Sequence, residues 1–307
     1  MPFQIIKSDL VSVSADAIVY AETPQPFSLY NFNPLMIHKT GKEILNTREA
    51  LKPIFIGEAK IAPASLLDCK YIIHTSAPAW HGGGYHELGQ LRNCYKRVFD
   101  LALEQGCMSI ATPIIASDKL GYPKTLSQKT ALECVKNFLV SHGDITVTFV
   151  LAGKTGIMLS GNQFTNVNMH LNNNYVKPDE KEADASAQNK KLSLEEGKAF
   201  AEKLSAYMVS AGISKEEFCL KANITSEVLG RIFSNKEEIL PKTTVTGLAM
   251  ALELPMDEFK EFLAMAGYTL TKNSKFDLII EYCITSKIYD VFDVNQILFR
   301  FEQELIG

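Results

Sequence analysis

Two short stretches carry the residues best placed to hold a ligand. Asp16-Ala17-Ile18-Val19-Tyr20-Ala21-Glu22-Thr23 and Pro113-Ile114-Ile115-Ala116-Ser117-Asp118-Lys119-Leu120-Gly121-Tyr122-Pro123 each begin as a buried strand and break into a loop. In an open α/β sheet, ligands bind at such strand ends. A third stretch, His81-Gly82-Gly83-Gly84-Tyr85-His86, offers two imidazoles five residues apart in a glycine loop. A zinc site needs three or four ligands, and no cysteine or carboxylate cluster completes this one, so no metal is expected. No catalytic triad and no phosphate loop is found elsewhere in the chain.

The elements that must position these loops are legible as an alternation. Phe3–Ile6, Ala17–Tyr20, Tyr71–Thr75, Ser109–Ile115 and Ile145–Ala152 are short β-rich runs. Between them lie helix candidates near Pro34–Leu51, Tyr85–Glu104 and Ser127–His142, the last stopped by His142-Gly143. Strands alternating with helices imply a sheet covered on both faces. After residue 190 only helical patterns appear. The segment 161–190 is Asn-rich and then charged, without a sustained apolar period, and is expected to be a flexible linker. Domains are thus expected at 1–160 and 191–307.

Composition narrows the class. The chain has 307 residues, which suggests two domains, and 46% hydrophobic residues, enough for a buried core. No apolar run approaches the roughly 20 residues of a membrane-spanning helix, and Met1–Lys7 reads as a strand rather than a signal peptide. A cytoplasmic protein is expected. The six cysteines are scattered without a C-x-x-C pair, so a disulfide framework is not expected.

A resemblance now has residues to stand on. Lys7-Ser8-Asp9-Leu10, Asp16–Val19, Gly57-Glu58-Ala59-Lys60-Ile61, Lys70-Tyr71-Ile72-Ile73-His74-Thr75, Trp80-His81-Gly82-Gly83, Leu91-Arg92-Asn93-Cys94-Tyr95 and Gly121-Tyr122-Pro123 follow one another in the order and spacing of a macrodomain, the module that binds ADP-ribose. The resemblance covers roughly residues 1–160 and implies an α/β domain with a mixed sheet sandwiched between helices. It implies that Asp9 accepts a hydrogen bond from the adenine amino group; capping the following turn is the alternative role, common for Asp. It further implies a nucleotide site built from Asp9, Leu10, Ala21, Thr23, Ile115, Ala116, Ser117, Lys119, Leu120, Gly121 and Tyr122. No cofactor is required, and ADP-ribose or a related nucleotide is the implied ligand.

The loops depart from that family's pattern. Its Asn-Ala-Ala-Asn appears here as Tyr20-Ala21-Glu22-Thr23, and its glycine run as Pro24–Pro34, rich in proline and aromatics. Phosphate cradles rely on bare backbone N–H groups that glycine leaves accessible. Where catalytic members carry an Asp, this chain has Pro34, which cannot act as a base. Asp118 replaces a glycine at the phosphate-facing turn and opposes a diphosphate, with Lys119 as an offset. The strand Phe149-Val150-Leu151-Ala152 ends in Ala152 instead of a stacking aromatic. Catalytic residues are therefore not assigned, and hydrolysis is not expected.

The remaining chain resembles a phage-repressor-type helix-turn-helix domain over about residues 194–265. Leu194–Ser210 has apolar residues at spacings of three and four, and Ser214 with Glu217 reads as a capping box. Asn223–Phe233, Pro241–Leu252 and Pro255–Leu263 complete five helices. The resemblance implies DNA contacts from Lys215, Thr225, Ser226 and Arg231. Charge opposes tight DNA binding: residues 191–307 hold 13 Lys and Arg against 18 Asp and Glu, a net of −5, whereas DNA-binding domains carry a basic footprint. Two apolar-faced helices, Ser274–Cys283 and Val294–Phe301, need a covering surface, either the helical domain itself or a second copy or other protein.

Three functions follow as alternatives: a non-hydrolytic nucleotide-binding regulator coupled to a helix-turn-helix module, an ADP-ribosyl or O-acetyl-ADP-ribose hydrolase, or an antitoxin-like interaction pseudoenzyme.

Overall fold

The computed structural model describes residues 1–22, 43–51, 53–64, 66–117, 120–152, 156–159, 161–177, 192–234 and 239–307, with backbone only at 43–45. They divide into two units, Phe3–Met158 and Leu159–Gly307, the latter together with Met1–Pro2. Among the described residues no helix is long and apolar enough to cross a membrane.

The first unit is an α/β layer structure. Its strands are β1 (Phe3–Lys7), β2 (Ala17–Glu22), β3 (Ala59–Pro63), β4 (Tyr71–Ser76), β5 (Ser109–Thr112) and β6 (Thr146–Leu151). They form one sheet in the order β1-β6-β5-β2-β4-β3. All pairings are parallel except β3 with β4, so the sheet is mixed. The parallel strands read as nearly continuous apolar runs because both of their faces are buried. Among the described residues, three α-helices accompany them: α1 (Glu43–Ala50), α2 (Glu87–Glu104) and α3 (Lys124–Ser141). Helices α2 and α3 pack together, and α2 lies on β3 and β4.

Strand β3 was not expected from the sequence. It is five residues long and ends in Pro63, which is tolerated because β3 is an edge strand. Helix α3 starts at Lys124, three residues before the expected Ser127, with Pro123 fixing the entry. Strand β5 ends at Thr112 instead of Ile115, because Pro113 cannot donate to the ladder.

Position and register of β2 are set by Asp16, just before it. Its Oδ2 accepts hydrogen bonds from the Met108 and Ser109 N–H groups at 2.7 and 3.1 Å. Its own N–H donates to Ser109 Oγ at 2.8 Å, and Lys70 Nζ lies 2.8 Å from Oδ1. The Lys70 ammonium, aided by both amides, holds the Asp16 carboxyl below its ordinary range despite burial.

The second unit is all helical. Residues 163–174, expected within a linker, form helix α4 (Gln163–Asn174). Asn is a poor helix former, but Val167 and Leu171, four apart, are buried, and tertiary burial overrides propensity. Helix α4 packs on α10 (Lys275–Thr285), and Phe164 stacks on Phe301 with centroids 5.1 Å apart. Residues 178–190 of the expected linker lie outside the described residues.

Between them run α5 (Leu194–Ala211), α6 (Lys215–Ala222), α7 (Ser226–Phe233), α8 (Lys242–Ala251) and α9 (Met256–Met265), followed after α10 by α11 (Val291–Arg300). The full capping box belongs to Ser193 and Glu196 at α5. At α6 only half of the expected box forms: Ser214 Oγ accepts from Glu217 N–H, while the Glu217 carboxylate points toward Lys221. The apolar faces of α10 and α11, including Ile279, Ile280, Ile297 and Leu298, are covered within this unit. Two buried asparagines clasp the peptide of Ile306. Asn295 accepts from its N–H at 2.8 Å and donates to its carbonyl at 3.0 Å, and Asn223 donates to the same carbonyl at 3.1 Å.

Because the folded Asp16 pKa is depressed, the unfolded chain binds the proton more readily, so stability from this group is complete above the unfolded value near ~4 and lost as pH falls through the folded one. Asp16→Ala is expected to cost about 1–3 kcal/mol at pH 7 and to flatten the acid limb of stability. Urea unfolding at pH 7 and pH 3 checks both.

Candidate functional site

The strand order creates a crevice. From β2 the chain proceeds to β3 and β4 on one side; from β5 it proceeds through α3 to β6 on the other. Adjacent parallel strands whose connections diverge leave an opening at their carboxyl ends, where α/β sheets bind ligands. The ends of β2 and β5 are the two stretches singled out in the sequence.

The loop after β5 is held from several directions. Ile115 N–H donates to Tyr95 Oη of α2 at 2.8 Å. Ser117 N–H closes a turn onto the Ile114 carbonyl at 3.2 Å, with the intervening Ala116 left-handed at φ 66°. A non-glycine residue there costs about 1–2 kcal/mol. Farther along, Trp80 N–H donates to the Leu120 carbonyl at 2.8 Å, and the Trp80 and Tyr122 rings lie 5.0 Å apart. Gly121, at φ 74°, makes the turn a side chain would strain. Tyr122 Oη donates to the Glu87 carbonyl at 3.1 Å. Burial, reinforced by the Glu87 charge, pushes the Tyr122 phenol up to about 12, so it is always a donor.

Glu87 organises the glycine loop as well. Its side chain is buried, the residue being 2% exposed. Oε1 accepts from His81 and Gly83 N–H at 3.0 and 3.2 Å, and Oε2 from Tyr85 N–H at 2.8 Å. Burial pushes this carboxyl up, but the amides of Glu87, Tyr85, His81 and Gly83 outweigh it and hold it below the usual range. Gly83, at φ 89°, adopts a backbone conformation that favours glycine, and a Cβ there would press on the Trp80 ring at 3.0 Å. The histidines of this loop are therefore spaced by a carboxylate staple, and His86 is left-handed at φ 60° as α2 begins.

Asp9 takes up its capping role: Oδ1 accepts from Val11 N–H at 3.1 Å and starts the 3-10 turn Leu10–Ser12. Leu10 packs against the sheet face that carries Ile18, Tyr20, Ala111 and Val150. Ala21 sits near the end of β2 opposite Thr75. Thr23, Pro24–Pro34, Asp118 and Lys119 lie outside the described residues. Ile115 and Ser117 are held by Tyr95 and the Ile114 carbonyl, and Leu120 and Tyr122 by Trp80 and Glu87; Asp9 and Leu10 come to the sheet's end from β1, three strands away from β2.

A group the sequence reading passed over stands at the end of β2. Glu22 Oε1 accepts from Arg48 Nε of α1 and lies 3.0 Å from His74 Nδ1 of β4. Burial acts to raise the Glu22 carboxyl, but His74 and Arg48 hold it below the ordinary range. The register pairs Tyr20 with His74 and Glu22 with Ser76, so Glu22 and His74 share a face as diagonal neighbours. A carboxylate and a histidine at the ends of two β-rich runs were the available signal.

In the helical unit, α6 and α7 are joined through Asn223, Ile224 and Thr225, with Asn223 left-handed at φ 55°. Thr225 Oγ1 caps α7 by accepting from Val228 N–H. Ser226, Glu227, Gly230 and Arg231 are exposed on α7, and the exposed Lys215 lies 5.9 Å over the Phe233 ring.

Comparison with known proteins agrees with this architecture. The family model described as Macro domain matches residues 35–131. A macro domain-containing protein of Chlorobaculum tepidum is 32% identical over 140 residues, which is 46% of this chain and 81% of that protein. An O-acetyl-ADP-ribose deacetylase of Citrobacter rodentium is 31% identical over 139 residues, 44% of this chain and 78% of that protein. Among solved structures, the macro domain of ganglioside induced differentiation associated protein 2 is 29% identical with a TM-score of 0.45, over 50% of this chain and 77% of that one. The chain belongs to the macro domain family.

Replacing Tyr122 by Phe removes only the hydroxyl that holds the loop to Glu87. Faster amide hydrogen exchange is expected across residues 116–122, with a stability loss of about 1 kcal/mol. Glu87→Gln should speed exchange in residues 81–85, where Tyr85 N–H would face an amide in place of a carboxylate.

Proposed function

We propose that the α/β unit binds ADP-ribose, or a nucleotide related to it, without hydrolysing it, and that the helical unit is a helix-turn-helix module coupled to that binding. The observation that carries this reading is a built loop beside a restrained acid. The loop from Ile115 to Tyr122 is anchored by Tyr95, Trp80 and Glu87. The one carboxylate at the end of β2 among the described residues is held ionised by Arg48 and His74, and a depressed pKa makes a poor general base near neutral pH. In sequence, Thr23 and Pro34 replace the asparagine and the acid that the family's catalytic members use.

Asp9 supports the adenine end. Its cap uses Oδ1, which leaves Oδ2 to accept from an exocyclic amine. The relative described as an O-acetyl-ADP-ribose deacetylase supports the ligand class. Relatives described as O-acetyl-ADP-ribose deacetylase favour a second reading, hydrolysis.

Titration calorimetry with ADP-ribose, followed by chromatography of the same mixture, separates these readings. Micromolar binding with unchanged ligand is expected, and incubation with O-acetyl-ADP-ribose should release no acetate. Acetate release above a buffer control overturns the non-hydrolytic reading. Asp9→Asn keeps the cap and should weaken ADP-ribose about tenfold, as expected for loss of a charge-assisted hydrogen bond.

For the helical unit the reading rests on α6, its three-residue connection and α7, whose exposed face offers Ser226 and Arg231. Arg231→Ala should weaken a salt-sensitive DNA complex in gel shifts across a genomic fragment library. A wild-type protein that shifts no fragment at low salt removes the DNA role.

A further inference from the structure

Residues 303–307 form no helix or strand, yet each backbone polar group of Ile306 and Gly307 is hydrogen-bonded. The Ile306 N–H donates to Asn295 Oδ1 of α11 at 2.8 Å. Its carbonyl accepts from Asn295 Nδ2 at 3.0 Å and from Asn223 Nδ2, at the end of α6, at 3.1 Å. The Gly307 N–H donates to the Thr243 carbonyl of α8 at 3.3 Å, and Thr244 Oγ1 donates to the Gly307 carbonyl at 3.2 Å. Three elements thus read the main chain of two residues. Side-chain size is read as well. Ile306 is fully buried. A Cβ at Gly307, where φ is 133°, would lie 2.5 Å from the Asn223 carbonyl oxygen, which is backbone and cannot step aside. Gly247 of α8 completes the slot: a Cβ there would come within 2.8 Å of the Ala222 carbonyl oxygen and 3.2 Å of the Gly307 nitrogen.

Main-chain hydrogen bonds for affinity and side-chain pockets for specificity are the means by which proteins bind extended peptides. We propose that α6, α8 and α11 frame a peptide-binding site whose ligand is an extended segment with a large aliphatic residue followed by glycine, and that Ile306-Gly307 fills it in cis. The site calls for an occupant. Asn295 is 0% exposed, and emptying the slot would strip both of its amide atoms of the bonds to Ile306, which is costly for a buried group. The chain reaches the slot through an exposed bend. Glu302 is left-handed at φ 57° where the chain doubles back from α11, a conformation that a non-glycine residue adopts at a cost, so releasing the segment relieves strain. The tether keeps the local concentration of the segment high, and a free peptide competes with it poorly. A partner presenting the same residue pair displaces it when its own contacts outweigh the tether. Occupancy is felt at the connection between α6 and α7. Asn223 is the left-handed residue that begins that connection, and the occupant holds its side chain.

Gly307→Val expels the segment through the clash with the Asn223 carbonyl and leaves the framing residues untouched. Fluorescence anisotropy then follows the peptide Gln303–Gly307, labelled at its amino end, added to the full chain as wild type and as variant. The variant is expected to bind the peptide about tenfold or more tightly than wild type, whose site the tethered segment fills. A peptide carrying Gly307→Ala should bind neither. Amide exchange at residues 223–226 should rise in the variant and fall again once the peptide saturates it. A folded variant that binds the peptide no better than wild type overturns the proposal, as does equal binding of the Gly307→Ala peptide. Should the variant fail to fold, hydrogen exchange of the wild type decides. The Ile306 amide is expected to exchange through local opening, faster than the buried amides of α8. Protection of Ile306 equal to theirs makes the segment an inseparable part of the core and overturns the proposal. None of these results bears on nucleotide binding by the α/β unit.

Discussion

Strand β2 is pinned at both ends by a carboxylate, and the rest of the α/β unit depends on that restraint. At its start Asp16 grips the amides that begin β5 and the ammonium of Lys70. At its end Glu22 is tied to β4 through His74 and to α1 through Arg48. Side chains alternate along a strand, so a slip of one residue would exchange the faces of β2. Tyr20 would leave the face it shares with Leu10, and Glu22 would part from His74. Hydrogen bonding to an ionised group is stronger than between neutral ones, so β2 is held more firmly at each end than neutral partners would hold it.

Much of the α/β architecture was legible because parallel strands announce themselves as apolar runs and the long helices carry clear apolar faces. The ends of β2 and β5 were identifiable for the same reason, each run stopping where polar residues and proline begin. What escaped was governed by contacts distant in sequence. Strand β3 is too short and too mixed to show a period, and it exists because β4 offers it an edge. Helix α4 hides two buried apolar residues in an asparagine-rich stretch and is made by packing on α10. Glu87, an acid in the first turn of α2, gathers three amides that only the folded glycine loop brings together. Arg48 and His74 follow Glu22 by 26 and 52 residues, so the strand ends mark Glu22 and His74 while nothing local ties Arg48 to them.

In the helical unit, local rules worked better. Ser193, Ser214, Thr225 and Asp290 each cap the helix that follows them, as short polar side chains do when their oxygen can reach the free amides of a first turn. The two terminal helices are covered by their own unit. The clasp of Asn223 and Asn295 on the Ile306 peptide adds a polar specification to an otherwise apolar core, and it acts on the same left-handed residue that turns the chain from α6 into α7.

Ala116 points to how such a loop can change across generations. Its left-handed backbone was built into a loop whose neighbours Ile115 and Ser117 are fixed by Tyr95 and by the turn onto Ile114. The surroundings impose the conformation, so the residue there need not favour it. A codon change to glycine would relieve strain and one to a β-branched residue would add to it, but neither alters the atoms that shape the turn. A change of residue at position 116 is therefore expected to alter the cost of the turn and not its course.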